Sequence, residues 1–238
     1  MHIPKILVRP MAAFIRDREK RHTFIRYHLK NDLHKIMSKG KNNKIIIVKD
    51  KIEKPLNKKY IFGPSIQIFG NNNIIKIYEN SIYENVNIIF ANSSHNMITI
   101  GKNCNLRNSC FTINGQNQKL VIGNHVEMAG VNIRLSQNSN CMIGDNCLFS
   151  SNIFIWGGDG HKIKDKTSNK VINENNTTLK IGSHCWIGEN CRITKNAILP
   201  PNTIVGCASV ITKPFSEENT IIAGNPAKIV KKNVGWEF

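Results

Sequence analysis

Aliphatic residues recur every six positions near the end of this chain. Ile181, Ile187, Ile193, Leu199, Val205 and Ile211 stand in unbroken register. Four positions after each of the first five comes a small residue: Cys185, Cys191, Ala197, Thr203 and Ser209. An α-helix repeats near 3.6 residues and a flat strand at 2, so a period of six is neither. It marks a chain that turns a corner after each short strand and points one aliphatic side chain per face into a narrow axial core. Three faces give coils of about eighteen residues, stacked as a triangular parallel β-helix. The small residue lets the backbone bend close to that core.

Weaker repeats extend the register upstream. Ile77, Tyr83 and Ile89 fit it, then Ile100, Leu106 and Thr112, then Ile122, Met128 and Arg134, then Ile143, Phe149 and Ile155. Arg134 is an imperfect match and is expected at a corner or facing out. Asn103, Asn124, Asn146, Asn190 and Asn202 fall where corners are expected, and asparagine tolerates left-handed backbone angles. The register breaks after Ile155 and resumes only at Ile181. Residues 161–180 are therefore expected to be a loop inserted between complete coils, and such loops on rigid scaffolds are disproportionately functional.

The ends follow other patterns. Ile25, Leu29, Leu33 and Ile36 recur at helical spacing before Gly40, which predicts a helix within residues 1–44. Residues 45–76 read as a transition into the coils, which are expected over 77–213. Pro214 closes the hexads, and 214–238 reads as a cap for the open end of the solenoid.

Composition adds three constraints. Aromatic residues make up 7% of the chain, which suits a thin core of Ile, Val and Leu. No stretch is long and apolar enough to predict a transmembrane helix, and no signal peptide is apparent, so a cytoplasmic location is expected. The formal net charge is +17, and residues 1–44 carry twelve Lys and Arg against three acids. A basic arm of this kind suits an anionic polymer, a membrane surface or a docking contact within the protein. Nucleic acid is disfavoured, because no basic motif is interleaved with aromatics. Cys104, Cys110, Cys147, Cys185 and Cys191 fall at the small inward positions and read as core, not as disulfides.

The inserted loop opens with Gly-Gly-Asp-Gly-His, ending at His161. A neutral imidazole can take a proton from a hydroxyl and return it to a leaving group. Asp159, Asp165 or a backbone carbonyl can orient its second nitrogen. Trp186 ends its hexad and is expected to point outward, where a ligand or a neighbouring subunit would cover it. His95, His125 and His184 raise the question of zinc. A three-histidine site built on His161 would lack a ligand, however, since Lys166 stands where another histidine would be needed, so no metal is expected.

Four features together resemble the left-handed β-helix, hexapeptide-repeat acyltransferases: the hexads, the loop histidine, the Cys-Trp-Ile-Gly step at 185–188 and the terminal Ile-Ile-Ala-Gly-Asn-Pro-Ala-Lys-Ile-Val. Within that superfamily the loop is similar to that of polysialic acid and capsular polysaccharide O-acetyltransferases. Its matching positions are His161, Ile163, Ile172-Asn173 and Ile181 through Gly188. The resemblance covers about residues 141–236; over 77–140 it is repeat pattern alone. It implies an acetyl-CoA-dependent O-acetyltransferase with His161 as general base, acting on a bacterial surface polysaccharide such as a sialic-acid-containing capsule. A small-molecule acetyltransferase stays open as an alternative, as does, further off, a non-enzymatic binding module. The resemblance also implies acetyl-CoA beside Trp186, with Gly206, Ala208, Ala223 and Gly224 permitting close approach and Lys213, Lys228, Lys231 or Lys232 meeting its phosphates. It implies a homotrimer whose sites lie between subunits.

Overall fold

The computed structural model describes residues 11–12, 14–17, 20, 33–58, 60–136, 138–173 and 177–238. They form stacked coils, each crossing three flat faces. Face one is a ladder of parallel strands: Lys44–Lys49, Ile74–Tyr78, Met97–Ile100, Lys119–Ile122, Asn140–Ile143, Thr178–Ile181 and Ile198–Leu199. Face two carries Glu127–Met128, Leu148–Phe149, Trp186–Ile187, Ile204–Val205 and Thr220–Gly224. Face three carries Met37–Lys39, Ser65–Asn71, Val131–Ser136, Ile153–Trp156, Arg192–Ile193 and Val210–Ile211. Ile82–Ser94 and Asn105–Gln116 each run across faces two and three in one long strand, bending at Asn85 (φ 52°) and Asn108 (φ 46°). Side chains alternate in and out along strands such as Ile74–Tyr78, Met97–Ile100 and Val131–Ser136, so each inward row meets its counterparts from the coils above and below.

The corners explain the asparagines. At the corner between faces one and two, Asn103, His125, Asn146, His184 and Asn202 all take left-handed angles. Residues with short polar side chains visit that region at least cost. His95 and His125 are corner residues of this kind, bonded to Asn72 (3.0 Å) and Asn103 (3.3 Å). Among the described residues, no three of His, Cys, Asp and Glu gather as metal ligands.

The structure departs from the sequence reading in several places. Leu33–Lys35 and Met37–Lys39 are strands, so the Leu33–Ile36 end of the expected helix is extended; most of that helix lies outside the described residues. The 45–76 transition is already coil, because Lys44–Lys49 pairs with Ile74–Tyr78 and Met37–Lys39 pairs with the strand at Ser65–Asn71. The hexad register fails on face three of the early coils: Ile88 and Phe90 are buried in place of Ile89, and Phe111 and Ile113 in place of Thr112, while Arg134 faces out between buried Ile133 and Leu135, as expected. That face is built from longer strands with a period of two, which a six-residue template misreads. Cys110 is consequently displaced to a half-buried outward position, while Cys104, Cys147, Cys185 and Cys191 are core. Coil resumes after the insertion at Thr178, ahead of Ile181, because Leu179 is a second inward residue of that strand.

The C-terminal hairpin of Thr220–Gly224 and Ala227–Lys232 extends face two and closes the core with Ile222 and Ala227. No helix among the described residues is long and apolar enough to cross a membrane.

Candidate active site

The inserted segment is an anchored hairpin. Its two ends are tied where the Thr177 hydroxyl donates to the Gly157 carbonyl (2.6 Å). A methyl at Gly157 would fall 2.3 Å from Ser139 Oγ, so this glycine serves close packing on the coil below. Gly160 differs: it has a left-handed φ of 78° and open space around it, and it turns the chain into His161. Beyond it, Ile163 and Ile172 pair through the Ile172 N–H and the Ile163 carbonyl (2.9 Å), and a bridge joins Lys164 to Val171.

Asn173, buried, is the clamp of this hairpin. Its Nδ2 donates to the His161 carbonyl (2.7 Å) and to Asp159 Oδ2 (2.8 Å), and its Oδ1 accepts from the Ile163 N–H (2.7 Å). Lys195, from the next coil, forms an ion pair with the same Asp159 oxygen. Burial raises the Asp159 pKa, but hydrogen bonds from Lys195 and Asn173 and the ammonium charge outweigh it, and the carboxyl is held below its ordinary value. Asp159 therefore fixes the loop. Asp165 caps the hairpin turn, accepting from the Ser168 N–H (2.6 Å), the Ser168 hydroxyl (2.8 Å) and the Thr167 N–H (3.0 Å). Neither carboxylate bonds to the imidazole of His161, which is exposed.

Trp186 lies on face two and is 39% exposed. Its neighbour is a residue that sequence reasoning passed over. Trp236 folds back from the C-terminus with its ring 6.1 Å from that of Trp186. It stacks on the His184 ring at 4.6 Å and 11°, and its Nε1 donates to the His184 carbonyl (2.8 Å). His184 in turn donates from Nδ1 to Asn202 Oδ1 (3.0 Å). The lone tryptophan in a polar tail was the available signal.

Outward from Trp186, Ile204 and Ile221 continue an apolar strip in register along face two. At its end, Lys231 stands opposite Ile221 and Lys228 opposite Ala223 in the closing hairpin. The space a side chain would take at Gly206 is filled by the Ala223 methyl, 3.0 Å from an ideal Cβ, so this glycine seats the cap on the last coil. Ala208 takes a left-handed φ of 56° at the corner between faces two and three. Lys213 follows face three, its ammonium over the Phe215 ring at 5.8 Å, whereas Lys228 is carried by the closing hairpin.

A polysialic acid O-acetyltransferase of Neisseria meningitidis is 31% identical over 188 residues, which span 70% of this chain and 86% of that protein. The chain belongs to the polysialic acid O-acetyltransferase family. A second member of this acyltransferase family, from Escherichia coli O1:K1 / APEC, is 28% identical over 140 residues, covering 58% of this chain and 44% of its own length. Among solved structures, the polySia-specific acetyltransferase NeuO superimposes with a TM-score of 0.74 at 26% identity, over 86% of this chain and 82% of its own. No family model matches the chain. In a chain of this family the placement of the two candidates is informative. His161 leaves the prism at the corner between faces three and one, and Trp186 projects from face two on the opposite side.

Proposed function

We propose that this protein transfers an acetyl group from acetyl-CoA to a hydroxyl of a sialic-acid-containing surface polysaccharide. The observation that carries the reading is the inserted hairpin, tied down by Asn173, Asp159 and Lys195, that presents His161 to solvent in a chain of this family. The His161 imidazole takes the proton of the acceptor hydroxyl as the oxygen attacks the thioester carbonyl. It returns that proton to the departing thiolate, so protons balance within one turnover. The Asn173 bond to the His161 carbonyl holds the backbone from which the ring is aimed.

The apolar strip of Trp186, Ile204 and Ile221 suits the aliphatic arm of the donor, and Lys228 and Lys231 at its end suit its phosphates. Direct transfer within a ternary complex fits the cysteines. Five thiols are buried, and burial pushes that of Cys141 up to about 12. Because His161 and Trp186 stand on opposite sides of one prism, the complete site requires two copies of the chain, with His161 of one facing Trp186 of the next. A homotrimer closes such a head-to-tail contact.

The test is thiol release from acetyl-CoA with sialic acid polymers, with sialic acid monomer and with neutral glycans. Acetyl transfer to the polymer is expected. Turnover of the monomer alone would move the protein to the small-molecule class, and full activity of His161→Ala would remove the base.

A further inference from the structure

We infer that Trp156 and Arg134, side by side on face three, form a binding subsite for one acidic sugar ring of the acceptor. The inference rests on the acceptor proposed above and assigns it a place on the protein. Arg134 and Trp156 are direct partners in the parallel ladder, so their side chains leave the same face from neighbouring strands, roughly 5 Å apart. The flanking residues Ile133, Leu135, Ile153 and Ile155 are buried, which fixes Arg134 and Trp156 outward. Trp156 is 43% exposed, and the exposed Arg134 guanidinium has no ion pair or side-chain hydrogen bond among the described residues. The outward indole offers an apolar face and the guanidinium beside it offers a fork of N–H donors.

The surroundings hold this pair in place. Phe154, two residues back on the same strand, lies with its ring 5.9 Å from Trp156 at 59° and braces the indole. The Arg192 guanidinium also packs over the Phe154 ring, 4.4 Å from its centroid. Arg192 is itself fixed by Nη1 bonds to the carbonyls of Asn152 (2.9 Å) and Cys191 (3.1 Å). The Gly157 N–H donates to the Arg134 carbonyl (2.9 Å), locking the strand ends in register where the hairpin departs. The Asp159 carboxylate nearby is neutralised by Lys195.

The chemistry is complementary to a sugar acid. A pyranose offers a face of C–H groups that packs on an indole, and its carboxylate accepts two parallel bonds from a guanidinium fork. Aliphatic cargo would need no arginine, and a neutral sugar would leave it unpaired. His161 is five residues along the chain from Trp156, so the two lie within about 18 Å. One polymer strand can therefore rest on this platform while a nearby residue reaches the imidazole.

The experiment compares Arg134→Gln and Trp156→Ala with the unmodified enzyme in steady-state assays that vary polymer and acetyl-CoA separately. Each variant is expected to raise the acceptor KM by about ten-fold or more, with the donor KM changed by less than about two-fold. Arg134→Lys should recover only part of the loss, since an ammonium lacks the fork. Reducing the polymer carboxyls to alcohols should weaken binding to the unmodified enzyme and leave the Arg134→Gln variant unaffected. Unchanged acceptor KM in both variants overturns the subsite while leaving the acetyl transfer intact. A shift in donor KM instead assigns the platform to the donor, and a fall in oligomer mass assigns it to subunit packing; either overturns it. If the unmodified enzyme acetylates neutral glycans and no sialic acid polymer, the acceptor reading fails, and the subsite with it.

Discussion

The early coils and the late coils solve the same geometric problem differently. In the early coils, face three is long, its core includes Phe90 and Phe111, and the corner to face one is filled by a buried ladder of amides. Asn43 Oδ1 accepts from Asn73 N–H (3.0 Å) and Nδ2 (3.1 Å); Asn73 Oδ1 accepts from Asn96 N–H (3.2 Å) and Nδ2 (3.0 Å); Asn96 Oδ1 accepts from Gln118 N–H (2.8 Å). The column then shrinks to Ser139 and Thr177, and in the last coils strands of two residues leave no room for it. At the other two corners of the late coils, thiols donate to carbonyls of the next coil, as Cys185 does to Pro200 (3.3 Å) and Cys191 to Gly206 (3.2 Å). Trp156, Trp186 and the inserted hairpin belong to the late coils, and Trp236 returns to them from the tail. Short corners bring successive coils to near-identical outlines, and an insertion there leaves the prism unchanged on either side. The long corners of the early coils are occupied by their own polar groups.

That contrast can be broken from both sides. The largest effect is expected from His161→Ala, which should cut kcat by about 10² to 10⁴ while the melting temperature stays unchanged, read by thiol release and calorimetry. Ile193→Ala should destabilise the late coils by about 2–5 kcal/mol, because its side chain is fully buried in a thin core that cannot collapse around the loss. Asn73→Ala should cost about 1–3 kcal/mol by orphaning the Asn96 amides, measured by denaturant unfolding, while kcat below the transition is retained. Equal loss of activity in the Asn73 and His161 variants would mean that the two regions are not separable.

The smallest effect concerns the hairpin clamp. The lowered Asp159 pKa favours the carboxylate in the folded state, so its contribution is complete above the ordinary aspartate pKa and fades as pH falls through the lowered value. Asp159→Asn should therefore lower stability at pH 7 by no more than about 1 kcal/mol, since the pair is partly solvated. The melting-temperature gap between variant and parent should close in acid. A gap that widens as the pH falls through the acid range would show that the carboxylate form is not what holds the loop.

Much of this was legible in the residues themselves. A six-residue period admits one simple backbone path, so the prism, its late inward rows and the position of the insertion followed from the spacing alone. The histidine after a glycine turn was legible as a candidate from its position at the start of the insertion. The early face-three register was not legible, because a period of two inside a coil imitates a slipped hexad, and the amide ladder was hidden because asparagine signals a corner and a buried ladder equally well.

The local spacing of aliphatic and small residues thus determined the architecture, since each coil packs chiefly on its immediate neighbours and needs no distant information. Only the tertiary structure decided that Asp159 clamps the loop with Lys195 and Asn173, that Trp236 returns from the tail to brace Trp186, and that Arg134 and Trp156 meet on one face. Those meetings depend on which coil lies above which and on how far the chain travels between them. Stacking sets both, and no window of sequence contains them.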